Sequence, residues 1–409
     1  MAERGGGLLN VNKDGAALQL GIAGSSSSTS PVPASESLAL IPPGGVAPNH
    51  ARRLVFIDVT RGIAATIVMC QHGLEWSGIL TLGRGSFATD TFNAGITGVA
   101  LFFLVSGFII PASTRASSTF YEFWVRRIFR IYPLYLVIFV ATLAASLLIY
   151  DVTIDNIWLS IGLHMFLLPP WVGMENFVGG SWTLLIEFAW YFVFSVAAFS
   201  RFGAGVKLVH LYVMAFIVFT VFCFLYAPTF PLYRVTSFSL CFWGYLYYLR
   251  YAGEVSQRTF ALTTAAFALA VAWAVFVGFR EAPGTDADAP SLLNGSLSYA
   301  IALLGFPLIM VLRESAFATS RILSFLGEIS YSIYLVHSLI YVALNFAGVS
   351  GLLAFVTGLV LTLIVSLGTY MLIEKPGIEL GRRLTPRKPK DYESINPDRA
   401  THQSLSEPG

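Results

Sequence analysis

Apolar runs close to 20 residues long recur from residue 54 to residue 374. About 20 apolar residues suffice for a helix to cross the hydrocarbon core of a bilayer. Composition agrees, with 56% apolar and 12% charged residues, where a soluble domain carries about 25% charged. The chain reads as an all-α polytopic membrane protein.

The two ends differ from the middle. Residues 1–51 include "SSSSTSPVPAS" and "GGVAPNH" with scattered charges, which offer little to bury and predict a disordered cytoplasmic tail. No basic start leads into a short apolar core and cleavage site, so this is not a signal peptide. Residues 52–376 form the membrane domain. Residues 377–409 are polar and predict a loose cytoplasmic tail, and no soluble catalytic domain is expected at either end. A formal net charge of +2 leaves no basic field for nucleic acid. Cys70, Cys223 and Cys241 lie in apolar runs without metal-ligand spacing or pairing, so they read as packing residues and no metal is expected.

Ten spans are predicted, at 54–76, 92–113, 128–150, 181–200, 206–226, 230–250, 259–279, 295–312, 322–346 and 351–373. The stretch 152–170, "VTIDNIWLSIGLHMFLLPP", is short, polar at its start and ends on two prolines. Charge decides its status. If it does not cross, one side collects Arg52, Arg53, Arg115, Arg126, Arg127, Arg130, Arg201, Lys207, Arg250, Arg258, Arg313, Arg321, Lys375, Arg382 and Arg383. The other side keeps Arg84 and Arg280, with Asp151, Asp155, Glu175, Glu281, Asp286 and Asp288. The positive-inside rule then places both termini in the cytoplasm. Residues 151–180 become an outer, partly re-entrant segment held against the bundle.

The first span, "IDVTRGIAATIVMCQHGLEW", carries ionisable groups at a cost that usually marks function. Arg61 and His72 lie eleven residues apart, which is three turns plus about 20°, so they share a face ~16 Å apart along the axis. Asp58 is three before Arg61 and Glu75 three after His72, both within side-chain reach. The four form one polar stripe. Asp58 with Arg61 also suits a plain membrane-edge pair, while Arg61 and His72 point to chemistry.

Further groups converge on that stripe. "FWVRRIFRIYPLY" sets Arg126, Arg127 and Arg130 at the inner mouth of the third span. Guanidiniums there suit phosphate through forked hydrogen bonds, as well as ordinary positive-inside anchoring. "SWTLLIEFAWYF" places Glu187 within the fourth span, and "LGEISYSIYLVH" brings Glu328, Tyr331, Tyr334 and His337. Glu328 suits a cap. Tyr334 and His337 share a face, and Glu187 and His337 are intramembrane ionisable groups. His164, beside the prolines, needs no special role.

Together these segments resemble the acyltransferase 3 family of membrane O-acyltransferases, over residues 53 to 376. "FIDVTRGIAATIVMCQH" resembles its opening motif, an arginine and a histidine with ten residues between them, here Arg61 and His72. "GVALFFLVSGFII", "FWVRRIFRIYPLY", "SWTLLIEFAWYF" and "LGEISYSIYLVH" resemble four later motifs in the right order. The chain departs from many relatives at Ala100, where they carry Asp, and after Glu187, where Phe188 replaces a second acid.

The resemblance implies transfer of an acyl group, usually acetyl, from acetyl-CoA on the cytoplasmic side to a hydroxyl. The acceptors are commonly cell-envelope glycans such as exopolysaccharide or O-antigen, and the setting is the bacterial inner membrane. A macrolide or a lipid-linked oligosaccharide is the alternative acceptor. Arg61 with Arg126, Arg127 and Arg130 would hold the coenzyme. His72 would act as general base, because its ordinary pKa of about 6.5 leaves it mostly neutral near pH 7. Glu75 would orient the imidazole. Tyr334, His337 or a tryptophan N–H would steady the oxyanion, and Glu187 joins the catalytic set. Either direct transfer or an acyl-histidine intermediate fits. No G-x-S-x-G elbow is present around Ser106. A transporter of an anionic lipid or sugar would also suit ten spans with internal charges, although no repeat relates the two halves.

Overall fold

The structure is a computed structural model and describes residues 54–83, 85–114, 119–148, 156–174, 176–201, 203–227, 230–279 and 290–385. The expected N-terminal tail, the chain after residue 385, and Arg52, Arg53, Arg84, Arg115, Asp151, Asp155, Glu175, Arg280, Glu281, Asp286 and Asp288 lie outside the described residues. Among the described residues every regular element is helical.

The helices are α1 Val55–Trp76, α2 Phe87–Asp90, α3 Ala94–Thr114, α4 Phe120–Leu148, α5 Ile157–Met165, α6 Ser181–Phe199 and α7 Val206–Tyr226. They continue with α8 Leu232–Tyr251, α9 Gln257–Phe279, α10 Leu292–Val311, α11 Arg321–Glu328, α12 Ser330–Phe346, α13 Gly351–Thr369 and α14 Lys375–Leu384. Seven helices are long and apolar enough to cross a membrane, with α13 to α14 counted as one run, and α11 with α12 makes an eighth as a bent pair. α1 and α8 match them in length, with 22 and 20 residues, but are more polar. α1 carries the acids and arginine of the stripe, and α8 is rich in tyrosine. Each of the ten predicted spans thus falls on a helix or bent helix pair, of which eight are apolar enough to cross.

α3 lies at the centre and packs against α1, α6, α8 and α10. In hydrocarbon the contact surfaces gain little from the hydrophobic effect, so close van der Waals fit holds helices together. Small residues make that fit possible here. A methyl added to Gly327 of α11 would fall 1.8 Å from the Asp58 carbonyl oxygen of α1, and one on Gly62 2.4 Å from that of Leu323. Aromatic rings fill the rest of the core, with Trp190, Tyr135, Phe108 and Phe242 fully buried.

Two breaks shape the site. α11 and α12 meet at Ile329 with a 69° bend, and the Ser330 hydroxyl donates to the Gly327 carbonyl across it at 2.8 Å. The last long helix passes through a π turn at Tyr370–Glu374 before continuing as α14. Helix therefore extends past Pro376, to Leu384, into the polar stretch expected to be loose.

α5 has nine residues, or ~14 Å of helix, too short to cross a bilayer. Its backbone finds partners in protein. The hydroxyls of Tyr132 and Tyr135 donate to the carbonyls of Met165 and His164, each at 2.9 Å. His164 is buried between the rings of Phe139 and Phe177. Its Nε2 accepts the Phe177 N–H at 3.2 Å and its Nδ1 donates to the Ser160 carbonyl at 2.8 Å. Both ring nitrogens serve the fold.

Candidate active site

One cavity of about 830 Å³, its open mouth included, lies between α1, α3, α4, α6 and α12. Each helix delivers polar groups to it: Arg61 from α1, Ser106 from α3, Arg127 and Arg130 from α4, Thr183, Glu187 and Tyr191 from α6, and Tyr331 and Tyr334 from α12. Apolar side chains such as Phe102, Phe103 and Ile131 line the remainder.

The guanidiniums dominate its electrostatics. Arg127 donates to the Ser113 hydroxyl and lies over the rings of Phe123 and Tyr191, 5.4 Å from each centroid. Its Nε is buried without a hydrogen-bond partner among the described residues. Arg61 and Arg130 line the same space, and among the described residues neither forms a hydrogen bond or ion pair. The charges of Arg130, Asp58, Glu374 and Glu187 all act on Arg61. Unused N–H donors on three guanidiniums around one cavity fit phosphate oxygens.

Arg126 is placed differently. Its Nε donates to the Thr385 hydroxyl and one terminal nitrogen to the Thr385 carbonyl, both at 2.9 Å. It ties α4 to the end of α14, whereas Arg127 and Arg130 turn to the cavity.

Glu187 is fixed as an acceptor. One of its carboxylate oxygens takes hydrogen bonds from the Tyr191 hydroxyl and, at 3.3 Å, from the Ser106 hydroxyl. Ser106 thus serves Glu187.

The cavity ends at Tyr334. Its hydroxyl donates to the Gly180 carbonyl at 3.2 Å and lies 3.0 Å from the Thr183 hydroxyl. Its ring meets Phe102 edge-on at 5.7 Å. Gly180 is left-handed at φ 76°, and a methyl there would strike the Tyr334 hydroxyl at 2.5 Å. Glycine is what lets the phenol seat on the first turn of α6.

Beyond Tyr334 lies a histidine pair. His72 Nδ1 and His337 Nε2 are 2.9 Å apart, with ring planes 12° from parallel. His337 is 2% exposed, and its ring lies 6.0 Å from that of Tyr334. His337 Nδ1 is 3.1 Å from the Ile333 carbonyl oxygen. Neither histidine lines the cavity; the Tyr334 ring, which does, stands against that of His337 and meets Phe102 on the cavity wall. Glu75, expected to steady His72, accepts from Gln71 at 2.7 Å, and Gln71 in turn accepts the Ala94 N–H at 3.2 Å. The polar stripe of α1 therefore serves two places, the cavity through Arg61 and the histidine pair through His72.

Sequence reasoning missed Glu374. It is 1% exposed, sits in the π turn, and accepts from the buried Ser332 hydroxyl at 2.8 Å. Its charge reaches Arg130 and Arg61. The available signal was an acid at the close of an apolar run, "YMLIEKP", which reads as an ordinary membrane-edge charge.

A profile described as "Acyltransferase domain" matches residues 54–371. The chain belongs to the acyltransferase 3 family. Among members and relatives, it is 29% identical over 156 residues to "Acyltransferase MdmB" of Streptomyces mycarofaciens, 36% of this chain and 40% of that one. It is 30% identical over 158 residues to "Nodulation protein 10" of Rhizobium leguminosarum bv. viciae, 33% of this chain and 41% of that one. It is also 28% identical over 265 residues to "Putative acetyltransferase ORF330" of Acidianus two-tailed virus, 63% of this chain and 77% of that one. The chain thus spans about two fifths of the length of the first two relatives. No solved structure matches it. The matched region of this acyltransferase 3 chain begins just before α1 and ends within the π turn, so it holds both the cavity and the histidine pair.

Proposed function

We propose that this chain is a multi-pass O-acyltransferase of the bacterial inner membrane. It moves an acyl group, most simply acetyl, from cytoplasmic acyl-CoA to a hydroxyl of a cell-envelope glycan. The observation that carries this reading is the cavity itself. Three arginines with unused donors line it, and it stops at the one tyrosine that stands before a hydrogen-bonded histidine pair.

Arg61, Arg127 and Arg130 bind the phosphates of the donor. The apolar walls between Phe103 and Ile131 take the pantetheine arm and lead the thioester to Tyr334. Transfer then requires the Tyr334 and Phe102 rings to swing aside. His72 accepts the proton of the acceptor hydroxyl, the oxygen bonds to the thioester carbonyl carbon, and the carbon–sulfur bond breaks as the His72 imidazolium gives up that proton to the departing thiolate, so that coenzyme A leaves as the thiol. The Tyr334 hydroxyl, freed from Gly180, donates to the oxyanion. The arginine-rich end faces the cytoplasm, in line with the positive-inside rule.

The test uses purified protein in lipid nanodiscs with radiolabelled acetyl-CoA and envelope polysaccharide. Label passes to the polysaccharide, and free coenzyme A appears in equal amount. The His72→Ala variant loses transfer by about 10²–10⁴-fold, the usual contribution of a positioned general base. Full transfer by a properly folded His72→Ala protein overturns the base assignment. Absence of any acceptor-dependent thioester cleavage by the wild type overturns the enzyme itself.

A further inference from the structure

The hydrogen bonds around His337 run in one direction, and that direction fixes the state of His72. A backbone carbonyl only accepts, so the nitrogen facing the Ile333 oxygen at 3.1 Å, His337 Nδ1, carries a proton. In a neutral imidazole the other nitrogen is then bare. That bare nitrogen, Nε2, faces His72 Nδ1 at 2.9 Å. His72 Nδ1 must therefore donate, and His72 Nε2 is left as the lone-pair acceptor. It looks toward the start of α3, where a methyl added to Gly95 would lie 3.8 Å from it. Neutral rings are the ordinary form near pH 7.

We propose that His337 is a positioning residue that holds His72 in the Nδ1–H tautomer and so presents Nε2 as the base. The inference rests on the reading of His72 as base, and it departs from the expectation that His337 itself meets substrate. The ring order is Ile333 carbonyl, His337, His72, acceptor hydroxyl. When His72 Nε2 takes the hydroxyl proton, the imidazolium keeps its Nδ1–H pointed at the His337 lone pair, which spreads the new charge. A neutral imidazole here does the work that a carboxylate does in a hydrolase triad. In this buried place it adds no second charge of its own to the low-dielectric interior. The flat, nearly parallel rings at 12° suit a bond in the plane of both.

Two variants separate positioning from packing. His337→Gln keeps an acceptor oxygen for His72 Nδ1–H, and His337→Phe keeps the ring volume without an acceptor. Imidazole ¹⁵N spectra of the histidine-labelled, detergent-purified full chain report the tautomer directly, with His72 identified by its loss in His72→Ala. The wild type shows a pyridine-like Nε2 and a protonated Nδ1 on His72. His337→Gln keeps that pattern and holds kcat within about tenfold. His337→Phe loses the pattern, and its kcat falls about 100-fold or more, with KM for acetyl-CoA unchanged. A wild-type His72 protonated at Nε2 overturns the proposal, even if His337→Phe fails to fold. So does a folded His337→Phe enzyme with normal kcat. Neither result touches the base assignment, which stands or falls on His72→Ala alone.

Discussion

Gly107 of α3 and Gly244 of α8 lie back to back, each helix resting on the other's backbone. A methyl on Gly107 would sit 1.9 Å from the Cys241 carbonyl oxygen, and one on Gly244 2.0 Å from that of Leu104. Backbone cannot yield as a side-chain end can. Gly107→Ala is therefore expected to destabilise the bundle by about 1–3 kcal/mol or more, through overpacking at its centre. Thermal denaturation followed by size-exclusion chromatography in detergent measures it. An unshifted midpoint would mean the α3–α8 crossing is looser than described.

The two neighbouring arginines of α4 part company. Arg127 faces the cavity with an unpartnered buried Nε, while Arg126 holds Thr385. Arg127→Ala should raise KM for acetyl-CoA about 10–100-fold, the worth of charged hydrogen bonds at ~1.5–3 kcal/mol. Arg126→Ala should lower thermal stability and leave that KM unchanged. Steady-state kinetics on both variants decide it; equal KM effects would defeat the division.

Tyr334 stands between the thioester's place and the far side of the bundle. Tyr334→Ala removes the ring that closes the cavity, so free coenzyme A should appear severalfold faster without any acceptor. Tyr334→Phe keeps the ring and should leave this hydrolysis low, while transfer slows through loss of the oxyanion donor. A thiol-reactive dye reads both. Identical hydrolysis in the two variants would show that the ring is no barrier.

Glu374 sets a negative charge near Arg61 and Arg130, alongside those of Asp58 and Glu187 at Arg61. Glu374→Gln keeps an acceptor for Ser332 and removes the charge. The cavity becomes more positive, so KM for the anionic donor should fall or hold steady. Stability should drop, because buried like charges now face one another. Weakened donor binding with unchanged stability would contradict this account.

Much of the architecture was legible in the chain. Length and hydropathy located the long helices, and the two prolines at 169–170 mark where the short helix α5 gives way to a 3-10 turn. The partners within the site were not. Arg126 and Arg127 are both at helical-neighbour spacing from Arg130, as i, i+4 and i, i+3, so periodicity could not choose between them. Tertiary packing chose, because α14 covers the Arg126 side of α4. Glu374 was hidden because a π turn offsets the register of the last long helix, and an acid next to Lys375 looks like a boundary charge. The bond from His72 to His337 joins residues 265 apart in sequence, which no local spacing can signal.

The first turns of α6 have a consequence for the order of events. Gly180 and Thr183 grip the Tyr334 hydroxyl, and one turn further on the same rigid rod carries Glu187 among the arginines. Any slide of that rod that lets go of the phenol also displaces the carboxylate one turn away. A shift of α6 would thus reach both groups together, whereas rotation of the Tyr334 ring alone releases the phenol and leaves the carboxylate where it is.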